Sequence, residues 1–277
     1  MKLRRSLLFV PGARPERFDK AVATGVDMVC IDLEDACLPA EKEQARIAAL
    51  DYASAYQAAP ELVIRINSPR TLFGLKDLAA LIECDDLPPL TLMLPKVGAA
   101  ADVEIVDGLL ANVDMNLIAL METAQGIEAA SAIAAASPRV SGLMLGGADL
   151  SAELRSDMGW DAMLMARSKL AMAAASRQLD LIDVPYLDVK NPEGLTAEST
   201  RVRNLGFTCK AAIHPAQVEP ISSAFTPSAN EVSWARKVLA ASAEFAGGAL
   251  LVDGKLVDRP VLLAATRIVA VADQLGI

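Results

Sequence analysis

Eight short apolar runs punctuate the chain, at residues 7–11, 28–33, 62–66, 91–95, 116–121, 142–145, 179–184 and 209–213. Each is rich in Val, Ile, Leu or Met and lacks polar alternation, as a strand buried on both faces should. Stretches with helical spacing follow the first seven in turn, at 15–24, 41–57, 71–83, 100–112, 127–136, 161–178 and 193–205, and an eighth at 230–245 follows the last run. Gly25 and Gly206 fall just past two of these stretches, where a helix stop belongs, and Ser228 or Asn230 suits the N-cap of the last. Strands and helices in strict alternation predict a parallel sheet. Eight repeats fit a closed α/β structure, a TIM-like (β/α)8 barrel, with an open doubly wound sheet as the alternative. The pattern breaks after Phe245. Gly247-Gly248 and the residues up to Pro260 predict an appended hairpin or lid, and a terminal helix follows at 261–275. The expected division is a barrel domain over 1–245 and a C-terminal lid with its helix over 246–277.

Composition narrows the chemistry. Hydrophobic residues make up 53% of the 277 and aromatics only 4%, which favours helices and buried parallel strands over a β-sandwich. A formal charge of −9 repels nucleic-acid phosphates and anionic membranes, so neither is expected as a partner. Cys30, Cys37, Cys84 and Cys209 show neither C-x-x-C spacing nor the density of a disulfide scaffold, and reduced thiols fit a cytoplasmic protein. The apolar run near the N-terminus is too short for a signal-peptide core, and no stretch approaches the ~20 apolar residues that span a bilayer.

In a barrel enzyme the active site gathers at the C-terminal ends of the strands. Every run but the first ends near an ionisable group: Asp32, Glu34 and Asp35, then Arg65, Lys96, Glu122, Asp149, Asp188, and Lys210 with His214. Such a convergence of like charges needs neutralising, and a hard divalent cation does so. Glu122 and Asp149 end adjacent strands and could both reach one magnesium ion. Zinc is disfavoured, since His214 is the only histidine. Gly146 and Gly147 serve either close packing or the approach of a ligand to the backbone. There is no G-x-S-x-G, Walker loop or G-x-G-x-x-G. A Schiff-base lysine at Lys96 or Lys210 is a further alternative.

An ordered set of segments then carries a resemblance. It comprises Arg5-Ser6-Leu7-Leu8-Phe9-Val10-Pro11-Gly12, Ile31-Asp32-Leu33-Glu34-Asp35-Ala36, Val63-Ile64-Arg65-Ile66-Asn67 and Leu94-Pro95-Lys96-Val97. Met121-Glu122-Thr123, Gly146-Gly147-Ala148-Asp149, Lys210-Ala211-Ala212-Ile213-His214-Pro215 and the stretch Asp253 to Pro260 complete it. Together they resemble the citrate lyase β-subunit-like family, with its malyl-CoA and citramalyl-CoA lyases. The resemblance implies a TIM-like barrel assembled as trimers or hexamers. It implies cleavage of a β-hydroxyacyl thioester, on coenzyme A or an acyl carrier, to an acetyl thioester and a 2-oxo acid. It implies magnesium on Glu122 and Asp149, and Arg65 on the thioester carbonyl or its enolate. Glu34 and Asp35 would support the chemistry by orienting Arg65 or metal-bound water. Gly147 and Ala148 would line the substrate, and Arg14, Lys20 and Phe9 would meet coenzyme A. Asp258 would be the acid/base, delivered from the lid to a neighbouring subunit. The stretch after Asp149, read as a short loop over 150–160, points towards citrate lyase-like or citramalyl-CoA lyase-like members. A carrier-dependent lyase subunit and an aldolase of free hydroxy acids remain open as alternatives.

Overall fold

The structure, a computed structural model, describes residues 3–84, 87–243 and 250–277. Phe245 and Gly247-Gly248, where the sequence places the break after the barrel, lie outside the described residues. Strands β1 (Ser6–Pro11), β2 (Met28–Asp32), β3 (Glu61–Arg65), β4 (Leu90–Leu94), β5 (Met115–Met121), β6 (Val140–Leu145), β7 (Asp180–Asp183) and β8 (Cys209–Ala212) close in that order into a parallel barrel. Closure is made by β8 on β1, with Ser6 opposite Lys210. All eight apolar runs are therefore strands, and the open sheet is excluded.

The connections carry α1 (Phe18–Val22), α2 (Lys42–Ser54), α3 (Leu72–Ile82), α4 (Ala100–Leu109), α5 (Ala124–Glu128), α6 (Ala130–Ala134), α7 (Gly147–Leu154), α8 (Trp160–Arg177), α9 (Pro192–Asn204) and α10 (Val218–Phe225). Two readings need correction. The single helix expected over 127–136 is two short ones, because Ala129 leaves helical geometry (ψ 3°) and Ala132 N bonds Ala129 O one residue short of an α-turn. The stretch after Asp149 is no plain loop, since α7 runs through its first part as far as Leu154. Its first residue is Gly147, a weak helix former that gives no sequence signal of a helix start.

Period-2 alternation sorts each strand between two layers. Leu7, Met28, Cys30, Val63, Met93, Ile118, Met144, Ile182, Cys209 and Ala211 pack together in a buried cluster, with Phe9 against it. At the N-terminal end of the strands, buried Arg4 grips Glu61 through two 2.8 Å bonds and reaches Asp180 at 3.1 Å. Thr91 adds a 2.6 Å bond to Glu61. This polar plug ties together the starts of three strands, and the cavity lies at their other ends.

Lys210 is corrected too. It is fully buried, and its ammonium bonds Asp183 at 2.6 Å, Val184 O at 2.6 Å and Glu198 on α9 at 2.7 Å. Arg167 of α8 grips the other side of Asp183 at 2.9 Å. Burial alone would raise the Asp183 pKa, but these two cations hold it below the usual carboxylate range. Lys210 thus sews β8 to β7 and α9 and is no Schiff-base candidate at the mouth.

The chain forms two compact units, one of Arg4–Ser222 and one built mainly from Ser223–Ile277. In the second, α11 (Ala229–Ala243) and α12 (Arg259–Leu275) pack with the antiparallel hairpin β9 (Leu250–Val252) and β10 (Lys255–Val257). Asp253-Gly254 turns the hairpin with φ of 49° and 74°, the left-handed pair that a two-residue type I′ loop demands. The expected hairpin and terminal helix are both present. Among the described residues, no helix is long and apolar enough to cross a membrane.

Candidate active site

Alternation along β2 and β3 sends Met28, Cys30 and Val63 into the barrel cluster. By the same period Asp32 and Arg65 share the next inward layer, and the register sets them opposite one another. Their side chains join in a two-pronged bridge, Arg65 Nε to Asp32 Oδ1 at 2.7 Å and Nη2 to Oδ2 at 2.6 Å. The Asp32 carboxylate also accepts from Glu34 N at 2.9 Å and Ala36 N at 3.1 Å. Phe9 lies under the guanidinium, its ring centroid 5.1 Å from Arg65 Cζ, in cation–π contact. Burial works against the Arg65 charge, but the bond and charge of Asp32 outweigh it and the pKa is raised. The result is a fixed, permanently charged donor.

Its remaining nitrogen, Nη1, faces Glu34 Oε2 at 3.2 Å and Asp35 Oδ2 at 3.8 Å. Glu34 also accepts from Lys96 Nζ at 2.8 Å. Burial nevertheless raises the Glu34 pKa against the charge of Arg65 and the bond from Lys96, and Asp35 adds a like charge. Glu34 Oε2 is buried and makes no hydrogen bond among the described residues.

Lys96 sits in the left-handed region, with φ of 55°. For a residue with a Cβ this costs about 1–2 kcal/mol, so neighbouring contacts must hold it there. Its N–H donates to Glu122 Oε1 at 2.7 Å while its ammonium holds Glu34 and stands 3.6 Å from Asp149 Oδ2. Glu122 leaves the end of β5 and is buried. Burial first, then the charge of Glu34, pushes its pKa up to about 8 against the bond from Lys96 N, and Asp149 adds to the rise. Gly146 makes room for it. A Cβ at Gly146 would stand 2.4 Å from Glu122 Cβ and 2.8 Å from Glu122 Oε2, and the backbone there is extended (φ −101°). The glycine is thus required for space, not for an unusual conformation. Gly147 is tight as well, since its Cβ would meet Val184 Cγ1 at 2.8 Å. Asp149 stands half-exposed in the first turn of α7, where the helix dipole favours an anion.

These groups surround one cavity of about 440 Å³. Of the sequence-predicted residues, Phe9, Asp35, Arg65, Glu122, Gly147, Ala148 and Asp149 line it. Asp32 lines it too, while Glu34 and Lys96 join through their bonds to Arg65 and Glu122. Its apolar wall is Leu120, Met144, Met158, Pro185, Leu187 and Ile213, none of which the sequence marks as a site residue. Asp188 and His214 are not among the lining residues. Asp188 caps its own turn by accepting from Lys190 N, and His214 Nδ1 accepts from Ala216 N at the start of the eighth loop. Arg14 and Lys20 are exposed around α1. Asp258 belongs to the C-terminal unit, where its carboxylate caps α12 by accepting from Val261 N at 3.4 Å.

The donor set suits a hard divalent cation. Two carboxylates, Glu122 and Asp149, line the same cavity, and the buried Glu34 oxygen beside them lacks a hydrogen bond. Oxygen-only donors with room left for water and a ligand describe a magnesium site better than a zinc site. Among the described residues there is no cluster of three or more His, Cys, Asp or Glu that could hold a metal ion.

Residues 5–215 match the HpcH/HpaI aldolase/citrate lyase family. A (3S)-malyl-CoA thioesterase of Cereibacter sphaeroides is 36% identical, over 98% of this chain and 95% of the relative. An L-malyl-CoA/beta-methylmalyl-CoA lyase of the same species is 34% identical over the same shares. The crystal structure of CitE from Mycobacterium tuberculosis, in complex with magnesium, acetoacetate and coenzyme A, is 35% identical and superposes with a TM-score of 0.80 over 98% of both chains.

Proposed function

The chain belongs to the HpcH/HpaI aldolase/citrate lyase family, and on that premise we propose that it is a magnesium-dependent carbon–carbon lyase. Its substrate is a β-hydroxyacyl thioester, citramalyl-CoA, malyl-CoA or a citryl thioester, and its products are an acetyl thioester and a 2-oxo acid. The observation that carries this reading is Arg65. It is locked by Asp32, stacked on Phe9, and shares its cavity with the two carboxylates.

In the cleavage direction the β-hydroxyl gives up its proton to water in the cavity and becomes the carbonyl of the 2-oxo acid. The carbon–carbon bond breaks, and its electron pair moves to the thioester carbonyl oxygen as an enolate. Arg65 meets that developing charge with a guanidinium already in place, so little reorganisation is needed. Asp32 keeps the guanidinium from turning, and Glu34 with Asp35 takes its third nitrogen. Glu122 and Asp149 would hold magnesium, which when bound polarises the acid-side carbonyl as a Lewis acid. Gly147 and Ala148 let the acid approach the backbone at the start of α7. Asp258 delivers the proton that converts the enolate to the acetyl group. Arg14 and Lys20 meet the phosphates of coenzyme A. The reading extends to a cytoplasmic homotrimer or hexamer in which the region over 246–277 serves a neighbouring subunit.

One relative is named a thioesterase, so hydrolysis is the second reading. A panel of malyl-CoA, citramalyl-CoA, citryl-CoA and free citramalate, assayed for both 2-oxo acid and free thiol, separates the two. The lyase reading expects 2-oxo acid without free thiol, abolished by EDTA and restored by magnesium. Free thiol without 2-oxo acid would make the protein a thioesterase, and turnover of citramalate alone would make it an aldolase of free acids. Full activity in chelator would refute the metal assignment.

A further inference from the structure

We propose that Lys42 is a positioning residue for this reaction, clamping the loop that carries Glu34 to the strand end that carries Arg65. The inference deepens the lyase reading and rests on it for its kinetic consequence.

Lys42 opens α2 and is buried. Its ammonium donates to Leu33 O at 2.9 Å, to Glu34 O at 2.7 Å and to Asn67 Oδ1 at 2.6 Å. All three donors of the ammonium are therefore used, and all three acceptors are neutral. Asn67 lies two residues beyond Arg65, and its own N and Nδ2 both donate to Asp77 Oδ2 at 2.8 and 2.7 Å. Asp77 is buried on α3 and accepts from Arg46 of α2 at 2.7 Å. A continuous chain of bonds thus runs from α2 through Asp77 and Asn67 to Lys42, and from Lys42 to the two peptides before Asp35.

Those peptides need such a hold. Three carboxylates, Asp32, Glu34 and Asp35, crowd into four residues, and like charges so close repel one another. Asp32 pins the loop from one side through Glu34 N and Ala36 N. Lys42 pins it from the other by taking the carbonyls of Leu33 and Glu34, and it brings a positive charge beneath the acidic cluster. An ammonium buried on neutral acceptors costs far more than an apolar side chain of the same length. Packing alone does not account for it, whereas fixing Glu34 against Arg65 and Lys96 does.

Lys42→Met keeps the stem and removes the clamp, and Lys42→Arg restores a cation with donors. The first measurement is amide hydrogen exchange over 33–36 against the strands of the barrel. We expect Lys42→Met to lose protection in that loop by tenfold or more, with the strands unchanged, and Lys42→Arg to recover part of it. The second is steady-state kinetics with magnesium, where Lys42→Met should lower kcat by ten- to a hundredfold with little change in KM or in magnesium affinity. If Lys42→Met does not fold, Asn67→Ser removes the carbonyl acceptor and is read in the same way. Unaltered exchange in the loop would overturn the clamp. Altered exchange with an unaltered kcat would overturn its positioning role. A wild-type protein inactive on every thioester would refute the lyase reading while the exchange comparison still tests the clamp.

Discussion

Magnesium affinity should depend steeply on pH, and the slope is set by Glu122. Its carboxyl is buried beside Glu34 and Asp149, and its pKa in the metal-free protein is pushed up to about 8. A metal ligand must be ionised, so binding displaces the proton. The apparent dissociation constant then carries a factor of one plus the ratio of protonated to ionised Glu122. At pH 7 this is about tenfold and at pH 6 about a hundredfold, relative to the limit reached above pH 9. Stability follows the same linkage with a definite sign. Between the unfolded value near 4.5 and the folded value near 8, the folded protein retains a proton that the unfolded chain has released. The metal-free protein therefore loses stability from this group as pH rises through that window, and the loss is complete above it. The magnesium-bound protein escapes this loss, so the two melting temperatures diverge as pH rises. Isothermal titration between pH 6 and 9, in two buffers of different ionisation enthalpy, gives both the slope and the proton count. A dissociation constant that stays flat from pH 6 to 8, with no proton released, would refute the assignment of Glu122 as a protonated ligand.

Three further outcomes are expected. Gly146→Ala should weaken magnesium binding tenfold or more, because the new methyl group would stand 2.4 Å from Glu122 Cβ, which hangs on a neighbouring strand and cannot yield; equal titration curves for variant and parent would show that Glu122 is not held by this contact. Asp258→Asn should cut turnover by about a hundredfold or more while leaving magnesium affinity unchanged, and an unchanged rate in the steady-state assay would remove its acid/base role. Lys210→Met should destabilise the fold by about 3 kcal/mol or more in urea denaturation, because it leaves Asp183 and Glu198 short of a buried partner; a loss under 1 kcal/mol would mean that Arg167 alone satisfies Asp183.

What the sequence reveals of this site, and what it hides, divides along one physical line. A strand buried on both faces shows as an apolar run, and the polar residue just past it stands out, so Arg65, Glu122 and Asp149 are readable at once. The register of two strands shows nothing in either run alone, yet it decides which acid meets Arg65. Three carboxylates sit within four residues at the end of β2, and only the pairing of Asp32 with Arg65 across the sheet assigns the strong bridge to Asp32. Inside or outside the barrel wall is equally silent for one charged residue in a four-residue strand. Lys210 reads as a rim lysine, but its place in β8 sends it outward to Asp183 and Glu198. The purpose of a glycine is silent as well. Gly146-Gly147 suits either close packing or the approach of a ligand, and the close contacts with Glu122 and Val184 show the packing while α7 starts there. The apolar wall of the cavity comes from single side chains on β5, β6 and several connections, so no local pattern could gather Met158, Leu187 and Ile213. Motifs thus locate the charges that act at the ends of strands, while the partners that fix those charges in place come from sheet register and from burial between layers. Lys42 is the clearest case, because a lysine at the start of a helix has no local signature of the two loop carbonyls it binds.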